Sequence, residues 1–137
     1  MRVLKLSKSD FEENRKYKKG SLEFNGHVEI ESGLDNIYFD SIKVGGHIFA
    51  GKGTSIVVFH TMIVGQDIIV EGDLRVGESL QAGEDITVDG NLWVGLRVFA
   101  GLVAWRLPRP DEVQIRCRTL LNGTVAYGKL IEKSPRR

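Results

Sequence analysis

The sequence predicts an all-β protein: a single-stranded parallel β-helix, or triangular β-solenoid, of about 4–5 coils with 18–20 residues per coil, closed by N- and C-terminal caps. Three observations carry that expectation. GQDIIVEGDLRVGESLQA (Gly65 to Ala82) is followed at once by GEDITVDGNLWVGLRVFA (Gly83 to Ala100), and nine of eighteen positions are identical. Apolar pairs recur every six residues within each copy: Ile68 with Val70, Leu74 with Val76, Leu80 with Ala82, Ile86 with Val88, Leu92 with Val94, Val98 with Ala100. A Gly or an acidic residue stands after nearly every pair, as at Gly65, Glu71, Gly77, Gly83, Asp89, Gly95 and Gly101.

The i, i+2 spacing puts both members of a pair on one side of a short strand and the residue between them on the other. A helix would need apolar residues at i, i+3, i+4 and i+7, which this stretch lacks. Three strands and three corners per eighteen residues make a three-sided coil, each coil ~4.8 Å above the last.

Taken in order, residues 1–19 stand outside the repeat. Val3, Leu4 and Leu6 suit a short strand, and Ser9 with Glu12 reads as a capping box for a helix over Asp10 to Tyr17, together a polar cap on the open end of the stack. The solenoid is expected over 20–107. Leu22/Phe24, Val28/Ile30 and Ile37/Phe39 form a first coil, Ile42/Val44, Ile48/Ala50 and Ile56/Val58 a second, and Met62/Val64 opens the third. The first two coils take twenty residues each, the extra ones lying at Glu31 to Asn36 and Gly51 to Ser55. Pro108 and Pro110 stop the pattern near Leu107, because proline cannot donate to a ladder. Val113, Ile115 and Cys117 make one more strand, and Leu120, Leu121, Val125 and Tyr127 surround an Asn122-Gly123 turn signal. Residues 108–130 therefore read as a C-terminal cap or a strand folded back along one wall, and 131–137 as a disordered tail.

Nineteen basic and eighteen acidic residues among 137 leave a formal charge of +1, which favours neither a nucleic-acid binder nor an acidic mimic of one. The basic run Arg15, Lys16, Lys18, Lys19 reads as a solvated edge rather than a phosphate site. One cysteine, Cys117, allows no intrachain disulfide and suggests no cysteine metal site. No stretch has the apolar length of a signal peptide or a membrane span, so the expectation is a cytoplasmic protein with no membrane insertion.

The three histidines, His27, His47 and His60, are the side chains that could serve as a general base. His27 and His47 stand twenty residues apart, so they stack on one corner of adjacent coils, where they could act as base or metal ligand. No carboxylate recurs beside them in step and no third ligand presents itself, so the reading is a repeat-position coincidence with no catalytic residue, metal or cofactor. Asp67 and Asp85 read as acceptors for turn amides. No nucleophile motif, phosphate loop or dinucleotide fingerprint occurs.

The residues between the paired positions face outward. They are Phe49 and Ile69 on one wall, Tyr38, Val57, Arg75 and Trp93 on the next, and Ile63, Gln81 and Phe99 on the third. Apolar side chains of this size call for cover. Either residues 108–130 supply it, or Phe49, Ile69, Tyr38, Val57, Trp93 and Phe99 form an interface with a copy of the chain or another protein.

Gly-x-Asp-Ile-x-Val-x-Gly-x-Leu (Gly65 to Leu74, Gly83 to Leu92) resembles the bactofilins and related polymer-forming β-solenoids over about 80 residues of the middle, roughly 22–105. The resemblance implies coils that stack end to end into cytoplasmic scaffold filaments; caps at both ends depart from that pattern, since a capped solenoid does not polymerise end to end. The hexapeptide acyltransferases are similar in placing an aliphatic residue before Gly, Glu or Asp, as at Val64-Gly65, Val70-Glu71, Val76-Gly77 and Val88-Asp89. That family prefers a small residue two places earlier, where this chain has Ile68, Leu74, Leu80, Ile86 and Leu92. The expected function is a non-catalytic solenoid that self-associates or docks a protein. The alternatives are an acyltransferase-like trimer using His27 or His47, and a small inhibitor from a mobile element, which would leave no mark of its own in the residues.

Overall fold

A strand with one apolar edge becomes stable only when that edge meets others like it, and here it meets its own repeats. The computed structural model describes residues 2–102 and 109–135. Its described part is a parallel β-solenoid of about 5 turns with no α-helix. The first wall is a seven-stranded parallel sheet of Val3–Leu6, His27–Ile30, Ile48–Ala50, Ile68–Val70, Ile86–Val88, Gln114–Cys117 and Lys129–Glu132. The second wall stacks Asp35–Phe39, Thr54–Val58 and Leu74–Val76, and the third stacks Leu22–Phe24, Ile42–Val44, Met62–Val64 and Leu80–Ala82. The strand Leu92–Ala100 serves both of these walls, pairing with Leu74–Val76 through its first part and Leu80–Ala82 through its last.

The alternation dictates the interior. Ile48, Ile68, Ile86 and Ile115 are each fully buried and lie one above another in register. Ile56, Leu74 and Leu92 do the same on the second wall, and Ile42, Met62, Leu80 and Val98 on the third. Each such side chain contributes roughly 1.5–3 kcal/mol by leaving water. The corners are tied just as directly, since the N–H groups of Gly65, Glu71 and Gly77 donate to the carbonyls of Val44, Ala50 and Val58 one coil earlier, at 2.8, 3.0 and 2.9 Å. A Cβ on Gly65 would fall on the carbonyl oxygen of Gly45, so glycine holds this corner because two backbones approach closely there.

The register steps by twenty residues between the first coils (Val28 to Ile48) and by eighteen later (Ile68 to Ile86), as the sequence predicts. The extra residues form two loops between the first and second walls, turned by Gly33 and Gly53 at φ of 75° and 81°. Thr54 pins them. Fully buried, it donates its hydroxyl to the Glu31 carbonyl at 2.6 Å and accepts the Leu34 N–H at 3.1 Å.

The ends match expectation in part: Val3–Leu6 and Gln114–Cys117 are the expected strands, and what surrounds them differs. Val3–Leu6 is a rung of the first wall, paired with His27–Ile30, and the helix over Asp10 to Tyr17 is replaced by a 3-10 turn at Lys8–Asp10. Ser7 caps that turn through an N–H donated to Asp10 Oδ2 at 2.8 Å, so the cap is Ser7 with Asp10 rather than Ser9 with Glu12. The reason is the core. Phe11 and Tyr17 both pack on Phe39, at ring separations of 5.7 and 5.2 Å, and plug the end of the stack. Six residues apart, they would point about 120° apart on a helix; instead the chain reverses through Arg15 at φ 70° and bridges Phe11 to Tyr17 antiparallel.

At the other end, Leu107 and Pro108 lie outside the described residues. The ladder resumes after them, with Ile115 opposite Ile86, twenty-nine residues on instead of eighteen. The prolines thus fall before a further coil, and Gln114–Cys117, Leu120–Tyr127 and Lys129–Glu132 continue the stack in parallel. Asn122-Gly123 is a corner of that coil, where the Asn122 side chain donates to the Val94 carbonyl at 2.8 Å. The segment does not fold back along a wall, and Ile131 and Glu132 belong to the last rung. Among the described residues no helix is long and apolar enough to cross a membrane.

Replacing Thr54 by Val keeps the shape and strands a buried N–H and carbonyl. We expect Thr54→Val to lower stability by about 1–3 kcal/mol in urea unfolding, and Thr54→Ser to recover most of the loss.

Candidate functional site

The histidine corner is one column of acceptors. The His47 N–H donates to His27 Nδ1 at 2.9 Å, the Asp67 N–H to His47 Nδ1 at 3.1 Å, the Asp85 N–H to Asp67 Oδ1 at 2.9 Å and the Gln114 N–H to Asp85 Oδ1 at 2.8 Å. The two rings stack as expected, with centroids 4.6 Å apart and planes within 12°. Gly46 makes room for this, because a Cβ there would lie 2.5 Å from His27 Nδ1. The sequence reading of Asp67 and Asp85 as amide acceptors matches these bonds. Missed was that the carboxylates continue the histidine column, although the steps 27, 47, 67 and 85 repeat the twenty- and eighteen-residue coil lengths.

This bonding decides the chemistry available. A neutral imidazole has one lone pair, and a ring accepting at Nδ1 carries its proton on Nε2. His27 and His47 therefore have no lone pair left for a general base or a metal. Glu84 is a third donor that the sequence reading did not find: a donor atom from each of His47, Asp67 and Glu84 lies within 4.8 Å of the others, with His47 Nδ1 3.5 Å from Asp67 Oδ2. A cation held through His47 Nδ1 would have to displace the Asp67 amide, so the cluster serves the corner. The second column follows the same logic, with the Asp73 N–H donating to Ser55 Oγ at 2.9 Å and the Asn91 N–H to Asp73 Oδ1 at 2.8 Å.

His60 lies on a different corner, exposed, its Nδ1 3.2 Å from Glu78 Oε2, while Thr61 donates its hydroxyl to Glu78 Oε1 at 3.1 Å. Cys117 is buried in the last full coil. Burial, and then the charge of Glu132, pushes its thiol from the ordinary 9.0 up to about 11, so it is a packing residue rather than a nucleophile.

The outward residues stack as the sequence reading placed them: Phe49 on Ile69, Tyr38 on Val57, Arg75 between Val57 and Trp93, and Gln81 between Ile63 and Phe99. Their exposure separates them. The Arg75 guanidinium lies 3.9 Å over the Trp93 ring and Phe59 stacks on Tyr38 at 6.0 Å, so Trp93 and Tyr38 are half-buried, as are Val57, Ile69 and Phe99. Phe49 and Ile63 stay exposed, joined by Phe59 and Leu96 at a corner, which pair spacing alone did not single out. The described part of 109–135 covers none of these walls, because it stacks beneath them. An open groove of about 370 Å³ on the first wall is lined by Val3, His27, Val28, Glu29, His47, Phe49, Asp67 and Ile69.

His47→Leu removes the acceptor for the Asp67 amide and should cost about 0.5–1.5 kcal/mol in chemical denaturation, whereas His47→Asp should be tolerated, since Asp already fills the next two places. Cys117 and Tyr17 are acids raised by burial above their ordinary values of 9.0 and 10.0. Their stabilisation is complete below those values and is lost as pH rises, for Cys117 between pH 9.0 and about 11. Denaturant midpoints should therefore fall across that window, and Cys117→Ala should flatten the fall.

No family model, curated protein or solved structure matches this chain. The described chain shows a parallel solenoid repeat and no more specific kinship.

Proposed function

We propose that this protein is a non-catalytic scaffold of the bactofilin-like kind, a rigid solenoid in the cytoplasm whose outer walls dock protein, a copy of itself included. The observation that carries this reading is the pairing of two features. The side chains suited to chemistry on the histidine corner are committed to backbone amides, while apolar side chains such as Phe49 and Ile63 face solvent on walls that the described chain leaves uncovered. Aromatic and aliphatic anchors on a stiff frame favour binding, because little order is lost when the partner arrives.

The N-terminal plug of Phe11 and Tyr17 supports a finite assembly over a filament, since that end offers no open core to a following molecule. Light scattering on the purified chain should give a species that stops growing with concentration; fibres would overturn the finite form. The acyltransferase reading predicts acyl-donor binding. Calorimetry with acetyl-CoA should give no heat at millimolar ligand, and a saturable signal lost in His47→Asn would overturn the scaffold reading.

A further inference from the structure

On the first wall the outward residues form one column along the stack: Lys5, Glu29, Phe49, Ile69, Thr87 and Arg116, each opposite the next across the ladder. Ile69 sits at the middle of this seven-stranded wall. Glu29 and Arg116 lie two rungs from it on either side, about 10 Å each way at the spacing of paired strands. Both are exposed, Phe49 between them is 38% exposed, and no described group pairs with the Glu29 carboxylate. The Arg116 Nε–H donates to Gln114 Oε1 at 2.7 Å. Its terminal nitrogens have no described partner.

We infer that two copies of this chain pack first wall to first wall about a two-fold axis that runs along the strands through Ile69, with their stacks antiparallel. The axis sets Ile69 against its own copy, Phe49 against Thr87, and Glu29 against Arg116 twice over, an apolar centre flanked by opposite charges. Charge favours this arrangement, because among the antiparallel registers it alone sets Glu29 against Arg116. With the stacks parallel, Glu29 would face Glu29 and Arg116 would face Arg116. Sliding the axis half a rung toward Phe49 brings Lys5 against Arg116. End-to-end stacking is opposed as well, because residues 21–100 carry four basic and twelve acidic side chains while the two flanks together carry fifteen basic and six acidic. At the corner beside the contact, Asp67 turns one carboxylate oxygen along the stack onto the Asp85 amide.

The inference rests on the docking reading and specifies its partner. Sedimentation equilibrium of the full chain should give twice the 15.3 kDa chain mass, with dissociation increasing as salt is raised. Ile69→Lys should give a monomer with an unchanged β-sheet circular dichroism spectrum. Glu29→Arg and Arg116→Glu alone should each weaken the dimer about tenfold or more, and the two together should restore it to within about threefold. A wild-type monomer at all concentrations, a dimer indifferent to Ile69→Lys, or a double variant no tighter than the singles would overturn the contact. Acetyl-CoA calorimetry reports on the docking reading separately, so a monomer that gives no acyl heat removes the two-fold contact alone.

Discussion

Each coil of this molecule completes its backbone hydrogen bonding only on the coils next to it. The strand ladders do this along the walls, and at the corners the N–H groups of Gly65, Glu71 and Gly77 reach the carbonyls of the coil before. A buried amide without a partner is costly, so coils must sit in register, and register then carries every side chain with it. The stacked isoleucines of the first wall, the acceptor columns at the corners and the ordered outward residues all follow from that one requirement.

The repeat made the middle of the fold legible because its physical demands are local. Alternation marks the inward side, and a corner needs either no Cβ, as at Gly65, or a short acceptor, as at Asp67 and Asp85. The ends were less legible because their shape answers to distant partners. Phe11 and Tyr17 are placed by Phe39 rather than by their own neighbours, which overrode a plausible capping box. Gln114–Cys117 returns to the ladder after a connection longer than the coil length, so the period could not locate it. At the candidate site, sequence spacing placed His27 beside His47 but gave no sign of which ring nitrogen was occupied. That detail separates a base from an acceptor.

The acceptor columns also explain why chemically different side chains share one place. His27, His47, Asp67 and Asp85 each present an acceptor to the amide of the next coil, and Ser55 and Asp73 do so on another corner. The position asks for a lone pair at a given height, and residue identity matters only through that. A histidine there is equivalent to an aspartate for the fold, though not for the charge it shows to solvent.

The strand Leu92–Ala100 rounds a corner as one strand, pairing with Leu74–Val76 before it and Leu80–Ala82 after it, so two walls join into one sheet at that level. A bending load on the second wall passes into the third through hydrogen-bonded backbone instead of through a loop. In the earlier coils the same corner falls between separate strands, from Phe39 to Ile42 and from Val58 to Met62, so no single strand joins the two walls there. A load applied to those two walls is thus carried along one strand at the fourth coil and across a strand break in the coils before it.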